Sequence, residues 1–290
     1  MSEAIFNEMS LGVSLILLLA YLLVLGYTVY RILMHTQSAA KTLAYLLLIV
    51  ILPLLGIVIY YSFGKDTRHG RSNEKLESEY RKVSKDFQEF LGDPSEGLLT
   101  EQRELLGHYT ELHRFLRYLG REKLTTNSFH LLSNGEEKFP EVLKTLEQAT
   151  DYIHIEYYTW ENDLSGNRIK EVLLQKAREG VTVRVIYDDF GSRGIRKNIV
   201  RELAEGGVRI YPIIKIKLNR LANRLNHRDH RKIIIVDGHT GFVGGINISD
   251  RYDNSIDTGL YWRDTHVKFT GPGVMNLQRH FLVNWNFCQE

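Results

Sequence analysis

The stretch from His227 to Asn247 reads HRDHRKIIIVDGHTGFVGGIN, and it concentrates groups suited to chemistry at phosphorus. His230, Lys232 and Asp237 are spaced HxKxxxxD, and Gly244, Gly245, Ile246 and Asn247 follow. Four consecutive β-branched residues, Ile233 to Val236, end at the turn signal Asp237-Gly238, which predicts a β-strand over 232–237. Residues two apart in a strand share a face and stand about 7 Å from each other, so an imidazole and an ammonium lie side by side. Asp237, an odd number of residues away, points to the other face. Such a pair is a site for an anion, phosphate above all, with a nucleophile beside it. Gly244 and Gly245 would let backbone N–H groups approach the anion closely, and Asn247 would add a side-chain amide.

An HxK pair alone carries little information. His266, Val267 and Lys268 form another one, but position 273 is Gly and no GxN follows it. The full pattern of 230–247 resembles the HKD motif of the phospholipase D superfamily in residue type, order and spacing. It departs from it at Gly245, where many members have Ser. That change removes one hydroxyl contact to phosphate and leaves the proposed nucleophile untouched.

The elements that must position these residues are legible from about residue 125 onward. A helix over 140–149 precedes a strand at 152–158, a helix at 167–179 follows, and 181–188 is the next strand, which together make a βαβ unit with parallel strands. A helix over 195–205 and a short strand at 207–213 extend it. After a basic segment at 215–232 come the motif strand, strands at 240–247 and 260–269, and a last helix over 272–287. This is an α/β sandwich, and the superfamily resemblance implies the same fold.

The N-terminal part has a different character. No charged residue occurs from Met9 to Tyr30, a run of 22 residues, long enough to cross a bilayer as a helix. Glu3 and Glu8 precede it without Lys or Arg, unlike a signal peptide, which predicts a retained transmembrane helix. A second uncharged run spans 42–64 and predicts a second transmembrane helix, with Pro53 and Gly56 tolerable in lipid. The link between them holds Arg31 and Lys41, whereas Lys65, Arg68, Arg71, Lys75, Arg81 and Lys82 follow the second run. That excess predicts both ends on the cytoplasmic side of the plasma (inner) membrane. Residues 65–124 read as a helical connector: Leu76, Tyr80, Val83, Phe87 and Phe90 form one apolar stripe on a helix ended by Gly92, Asp93 and Pro94, and a second helix covers 101–119. The expected division is thus a membrane anchor (1–64), a connector (65–124) and a catalytic domain (125–290).

Composition sets outer limits. Lys plus Arg (37) nearly balance Asp plus Glu (35), which gives no global basic excess of the kind a dedicated nucleic-acid binder carries. The lone cysteine, Cys288, allows no internal disulfide.

Several phrases sharpen the resemblance. The double apolar start, LPLLGIVIYYSFGK, HIEYYTWENDLSG, VRVIYDDFGSRG, HRDHRKIIIVDG, FVGGINISDRY and YWRDTHVKFTGPGV are similar to a bacterial cardiolipin synthase, over nearly the whole chain but only the first half of such an enzyme. Family members carry two HKD motifs in two homologous halves. The resemblance implies that a motif histidine attacks the phosphorus of phosphatidylglycerol, expels glycerol and forms a phosphohistidine that a second phosphatidylglycerol resolves. By position, His230 would be one of the two catalytic histidines. Lys232 would neutralise the phosphodiester oxygens, Asn247 would donate to them, and Asp264 would hold the second imidazole nitrogen. Asp237 completes the motif and by parity has a structural part in it. Glu156 would line the site at the carboxyl end of its strand, with an ordinary exposed strand-end carboxylate as the alternative. Arg228, His227, Trp262 and Arg263 would contact lipid headgroups or serve packing. The scheme needs no metal or other cofactor. A phosphodiesterase or nuclease of the same superfamily, and a silent subunit of a full-length synthase, remain the competing readings. In either enzyme reading a second HKD half is required, from a homodimer or from a C-terminal half.

Overall fold

The computed structural model describes residues 2–36, 39–64, 67–91, 95–120, 123–213 and 229–289. They fall into two compact units, one of residues up to Asn73 and one from Glu74 onward.

In the first unit α1 (Ser2–His35) carries the 24-residue segment Gly12–His35, with a mean hydropathy of 2.3 and side chains exposed nearly all round. At 1.5 Å per residue the segment is about 36 Å long, enough for a hydrocarbon core of about 30 Å. The second expected span is not one helix. Leu52 (φ −135°, ψ 75°) breaks it into α2 (Ala39–Ile51) and α3 (Pro53–Ile59), and a π-helical turn follows at Tyr60–Gly64. Pro53 has no N–H to give and opens α3 at its first turn, where that loss is harmless. The 13 residues of α2 span only about 20 Å. Among the described residues, Gly12–His35 is the one helix long and apolar enough to cross a membrane.

The expected connector begins with α4 (Thr67–Leu91), and part of its expected stripe is used for packing. Val83 is buried, and the Tyr80 ring lies 6.1 Å from that of His280. The Gly92–Pro94 stop lies outside the described residues. The helix expected over 101–119 is instead three pieces, α5 (Ser95–Glu101), α6 (Arg103–Leu106) and α7 (Tyr109–Gly120). Gly107 takes φ +47° directly after α6, a left-handed turn that a continuous helix cannot contain.

The rest of the chain builds one seven-stranded sheet of order β1-β7-β6-β5-β2-β3-β4. Its strands are β1 (Ser128–Ser133), β2 (Tyr152–Tyr157), β3 (Thr182–Tyr187), β4 (Arg209–Pro212), β5 (Lys232–Val236), β6 (Thr240–Gly244) and β7 (Thr265–Thr270). The pairs β2–β3 and β3–β4 are parallel, as the βαβ pattern requires, and the others are antiparallel. Sequence reasoning missed β1. Its Phe129 and Leu131 are each 66 % exposed, so the strand buries too little to leave an alternating signature. Strand β7 starts later than expected because Asn254 holds the main chain of Trp262 in a loop, accepting from its N–H and donating to its carbonyl.

Helices α8 (Asn134–Glu147), α9 (Leu164–Arg178) and α10 (Ile199–Glu205) cover one face of the sheet, and α11 (Val274–Gln289) covers the other. Asp163 caps α9 by accepting from the Gly166 N–H at 2.9 Å. Strand β5 lies in the centre. Ile234 and Val236 enter the core under α8–α10, while Ile233 and Ile235 enter the core under α11, which is why this strand reads as an unbroken apolar run.

Asp237 ends β5 in a left-handed conformation (φ +51°), and its carboxylate accepts from the N–H groups of Thr150, Asp151 and Tyr152 at 2.9 Å and from the Thr150 hydroxyl at 3.1 Å. Burial raises its pKa, but these backbone bonds outweigh that effect and hold the group below its ordinary 3.8. A depressed folded-state pKa contributes stability that is present above the unfolded value and is lost as pH falls through the folded one. Asp237→Asn keeps the shape and tolerates the positive φ, so it isolates the charge. Chemical denaturation should show a loss of about 1–2 kcal/mol at pH 7. The difference between variant and parent should shrink as the parent's carboxylate is protonated in acid.

Candidate active site

Four strand ends meet at one edge of the sheet: the carboxyl end of β2, the start of β5, the end of β6 and the start of β7. His230 stands in the segment leading into β5 rather than in the strand, and Lys232 is its first residue. The Tyr158 N–H donates to the Arg231 carbonyl at 3.0 Å, which continues the β2–β5 ladder and keeps His230 and Lys232 in strand-like alternation. The two side chains do converge. Lys232 Nζ lies 3.1 Å from His230 Nδ1 and donates to the His230 carbonyl at 2.9 Å.

Their surroundings set their charge states. Lys232 is only 2 % exposed, and burial pushes its amine down to about 8 against the pull of Asp229 and Asp264. His230 is exposed at the rim. Desolvation first and the Lys232 charge second lower its pKa, with Asp229 and Asp188 opposing, so the imidazole is neutral near pH 7. Tyr158 was not foreseen. Its ring centroid is 4.5 Å from that of His230 and 5.1 Å from Lys232 Nζ, so it walls both. Asp188 is a second omission: it accepts from the N–H groups of Phe190, Gly191 and Asp229, and so anchors the chain just before His230. The signal for both was their place at the carboxyl ends of β2 and β3.

Asn247 is buried at the same edge, where its Oδ1 accepts from the Thr159 N–H (3.2 Å) and its Nδ2 donates to the Tyr252 hydroxyl (2.7 Å). Asp264 also reaches the site, with a different set of partners from the one expected. Its carboxylate accepts from the Thr265 N–H (2.7 Å) and from Trp262 Nε1 (3.4 Å), and it acts on Lys232 rather than bonding His230. Trp262 forms the rim, its ring 4.8 Å from that of Tyr252.

The two glycines make room between β6 and β7. The Gly245 N–H donates to the Thr265 carbonyl at 3.0 Å and is therefore not free for an anion. A Cβ at Gly244 would sit 2.5 Å from His266 Nδ1 and 2.6 Å from the Thr265 carbonyl, and one at Gly245 would sit 2.1 Å from Asp264 Oδ1. Their absent side chains let β6 and β7 close together, which brings Asp264 and Lys232 near one another.

Two residues named from the sequence do not join the cluster. Asp237 is at the opposite end of β5, as its parity implied for a structural residue. Glu156 is fully buried on the α11 face, where it accepts from Arg231 Nη1 (3.3 Å) and Asn284. Burial raises its pKa well above the usual carboxylate range, with Asp229 adding to the effect and Arg231 opposing it. Strand alternation separates it from Lys232, which lies on the face of Ile234. Arg228 and His227 lie outside the described residues.

The arrangement is a His–Lys pair at the strand ends of an α/β sandwich. Residues 142–268 match the family described as cardiolipin synthase, PLD-like domain, and residues 18–65 match the one described as phospholipase D-nuclease N-terminal. The major cardiolipin synthase of Bacillus subtilis is 34 % identical over 278 residues, covering 94 % of this chain and 57 % of that protein. A cardiolipin synthase of Alkalihalophilus pseudofirmus is 37 % identical over 255 residues, covering 87 % of this chain and 50 % of that protein. Among solved structures, the phospholipase D family member Nuc from Salmonella typhimurium is 18 % identical with a TM-score of 0.44, covering 56 % of this chain and 97 % of that one. The chain thus carries, over 142–268, the PLD-like domain described for cardiolipin synthases, and it is similar to cardiolipin synthases over most of its length. It spans about half the length of the curated relatives it matches.

The contact between Lys232 and His230 can be read directly. Replacing Lys232 by Met keeps the burial but removes the positive neighbour, so the imidazole pKa of His230 should rise towards 6.5. An NMR titration of the imidazole resonances measures the midpoint, and a midpoint that stays put or falls would show that the ammonium does not face the ring.

Proposed function

We propose that this chain forms one half of a membrane-anchored phosphatidyltransferase that makes cardiolipin from two molecules of phosphatidylglycerol, with release of glycerol. The observation that carries the reading is the 3.1 Å approach of Lys232 Nζ to His230 Nδ1 at the strand-end edge, in a chain whose relatives are named cardiolipin synthases.

A phosphate group entering this edge draws the Lys232 ammonium to its non-bridging oxygens. Nδ1 of His230 is then released to carry the ring proton, which leaves the Nε2 lone pair for attack on phosphorus. The glycerol oxygen departs with a proton from an acid on the opposite side, and the bond broken at phosphorus is replaced by the P–N bond of a phosphohistidine. A hydroxyl of the second phosphatidylglycerol reverses these steps, forms the new P–O bond and frees the imidazole. Splitting one displacement into two is the gain of covalent catalysis. Asp264, 2.7 Å from the Thr265 N–H and beside Lys232, is the carboxylate placed to compensate the Nδ1 proton after a small rotation. Asn247 and Trp262 border the phosphate and its headgroup, and Asp237 secures β5 from its far end.

His230 cannot be nucleophile and leaving-group acid in one step. A second imidazole is therefore needed, and we place it in a homologous half, from a second copy of this chain or from further sequence. The Gly12–His35 helix supports membrane attachment, and the basic residues that follow support a cytoplasmic catalytic domain, with residues 65–124 as the connector.

His230→Ala should reduce phosphatidyl transfer by at least about 10³-fold without lowering the melting temperature, measured as cardiolipin formed from phosphatidylglycerol in detergent micelles. Activity within a few fold of the parent, in a preparation that turns over, would remove His230 from the mechanism. Release of phosphatidic acid in place of cardiolipin would instead assign water as the second acceptor. Turnover by protein shown to be monomeric would exclude the paired site.

A further inference from the structure

Behind Lys232 lies a deeper group of polar side chains that no step above uses. Tyr157 of β2 pairs with Lys232 of β5, and Gly244 of β6 pairs with His266 of β7. All point to the α8 side of the sheet: Tyr157, Ile234 and Phe242 belong to that core, whereas Val267 and Phe269 belong with α11. The ion pair of Lys268 with Glu141, 2.6 Å long, fixes α8 over β7. Lys138, one helical turn before Glu141, therefore stands over His266, two residues before Lys268. Its Nζ lies 3.9 Å from the ring centroid of Phe139 and 5.2 Å from that of Tyr157. Because Gly244 has no side chain, the His266 imidazole leans across the gap towards Lys232.

Lys138, Tyr157 and His266 are fully buried, and Lys138 Nζ, Tyr157 Oη and both His266 nitrogens have no hydrogen-bond partner among the described residues. Burial, then the charges of Lys138 and Lys232, push His266 down to about 2, so it is neutral. Burial likewise pushes Lys138 down to about 7, with Asp253 opposing. One oxygen of that carboxylate, Oδ1, accepts from the N–H and hydroxyl of Ser255, and neither oxygen bonds Lys138 Nζ. A Met or Leu would fill this space without the cost of burying an unpaired amine. An amine retained there points to a use for its charge, and the row of side chains leads to the anion edge at Lys232.

We propose that Lys138 is a positioning residue for the anion site, whose ammonium, held behind Lys232 by α8 and flanked by Tyr157 and His266, supplies a second positive charge beneath the bound phosphate group. The assignment rests on the anion-site reading above and adds to it a residue outside the motif. Lys138 does not touch the phosphate. It acts through the dry interior, where a charge is felt over a longer distance than in water.

The test is Lys138→Met in the full chain in detergent micelles, with inorganic phosphate as probe and melting temperature and phosphate affinity as readouts. Removing the buried amine should raise the melting temperature by about 2 °C or more, while phosphate affinity falls about three- to tenfold. A residue kept only for structure would do the reverse, so a lowered melting temperature, or a phosphate affinity equal to the parent's, overturns the proposal. Lys232→Met serves as the reference: it should abolish phosphate binding, and a parent that binds no phosphate would sink both the site and the role of Lys138. If phosphate binding depends on both lysines but the chain makes no cardiolipin, the reaction is misassigned and the proposal stands.

Discussion

A lysine side chain that begins a strand buried on both faces is the constraint on which this structure depends. The stem of Lys232 lies in the core and its ammonium emerges only at the sheet edge, 3.1 Å from His230. Because side chains alternate along a strand, a slip of one residue would turn Lys232 under α11 and thrust Ile233 into the site. The register is therefore held at both ends. Asp237 ties the far end of β5 to the start of β2, and the bond from Tyr158 to Arg231 ties the near end. The motif aspartate and the motif lysine are thus parts of one device, although they are a full strand apart.

The same alternation divides the charges into two systems. On the α8 side are Lys232, His266 and Lys138, all lowered in pKa by burial, with Asp229 and Asp264 opposing at Lys232 and Asp253 at Lys138. On the α11 side Arg231 neutralises Asp229 and bonds the buried Glu156. The first system is rich in cations, whereas in the second the Oε1 of Glu156 accepts from both Arg231 and Asn284. Close packing of β6 on β7 across Gly244 and Gly245 completes the arrangement, since it carries Asp264 to within electrostatic reach of Lys232.

Much was settled by the sequence itself. The β-branched run and the Asp-Gly turn define β5, the apolar spacing defines the βαβ unit, and HxKxxxxD with GGIN carries the resemblance to cardiolipin synthases, because these signals are local and depend on neighbours a few residues apart. The apolar composition of Gly12–His35 likewise suffices for a helix able to span a bilayer. What depends on contacts between distant segments was decided by the tertiary structure alone. Leu52 and Pro53 divide the second apolar run, which composition read as continuous, and the exposed β1 has no periodicity to betray it. Glu156, expected to line the site or to stand exposed at its strand end, is fully buried, because its surroundings depend on which helix covers which side of the sheet. Tyr158 and Asp188 come to the neighbourhood of His230 from the ends of strands about 72 and 42 residues away in the sequence, and Gly245 uses its N–H on β7. Pairing across a sheet is a property of register and layer, and no window along the chain contains both partners.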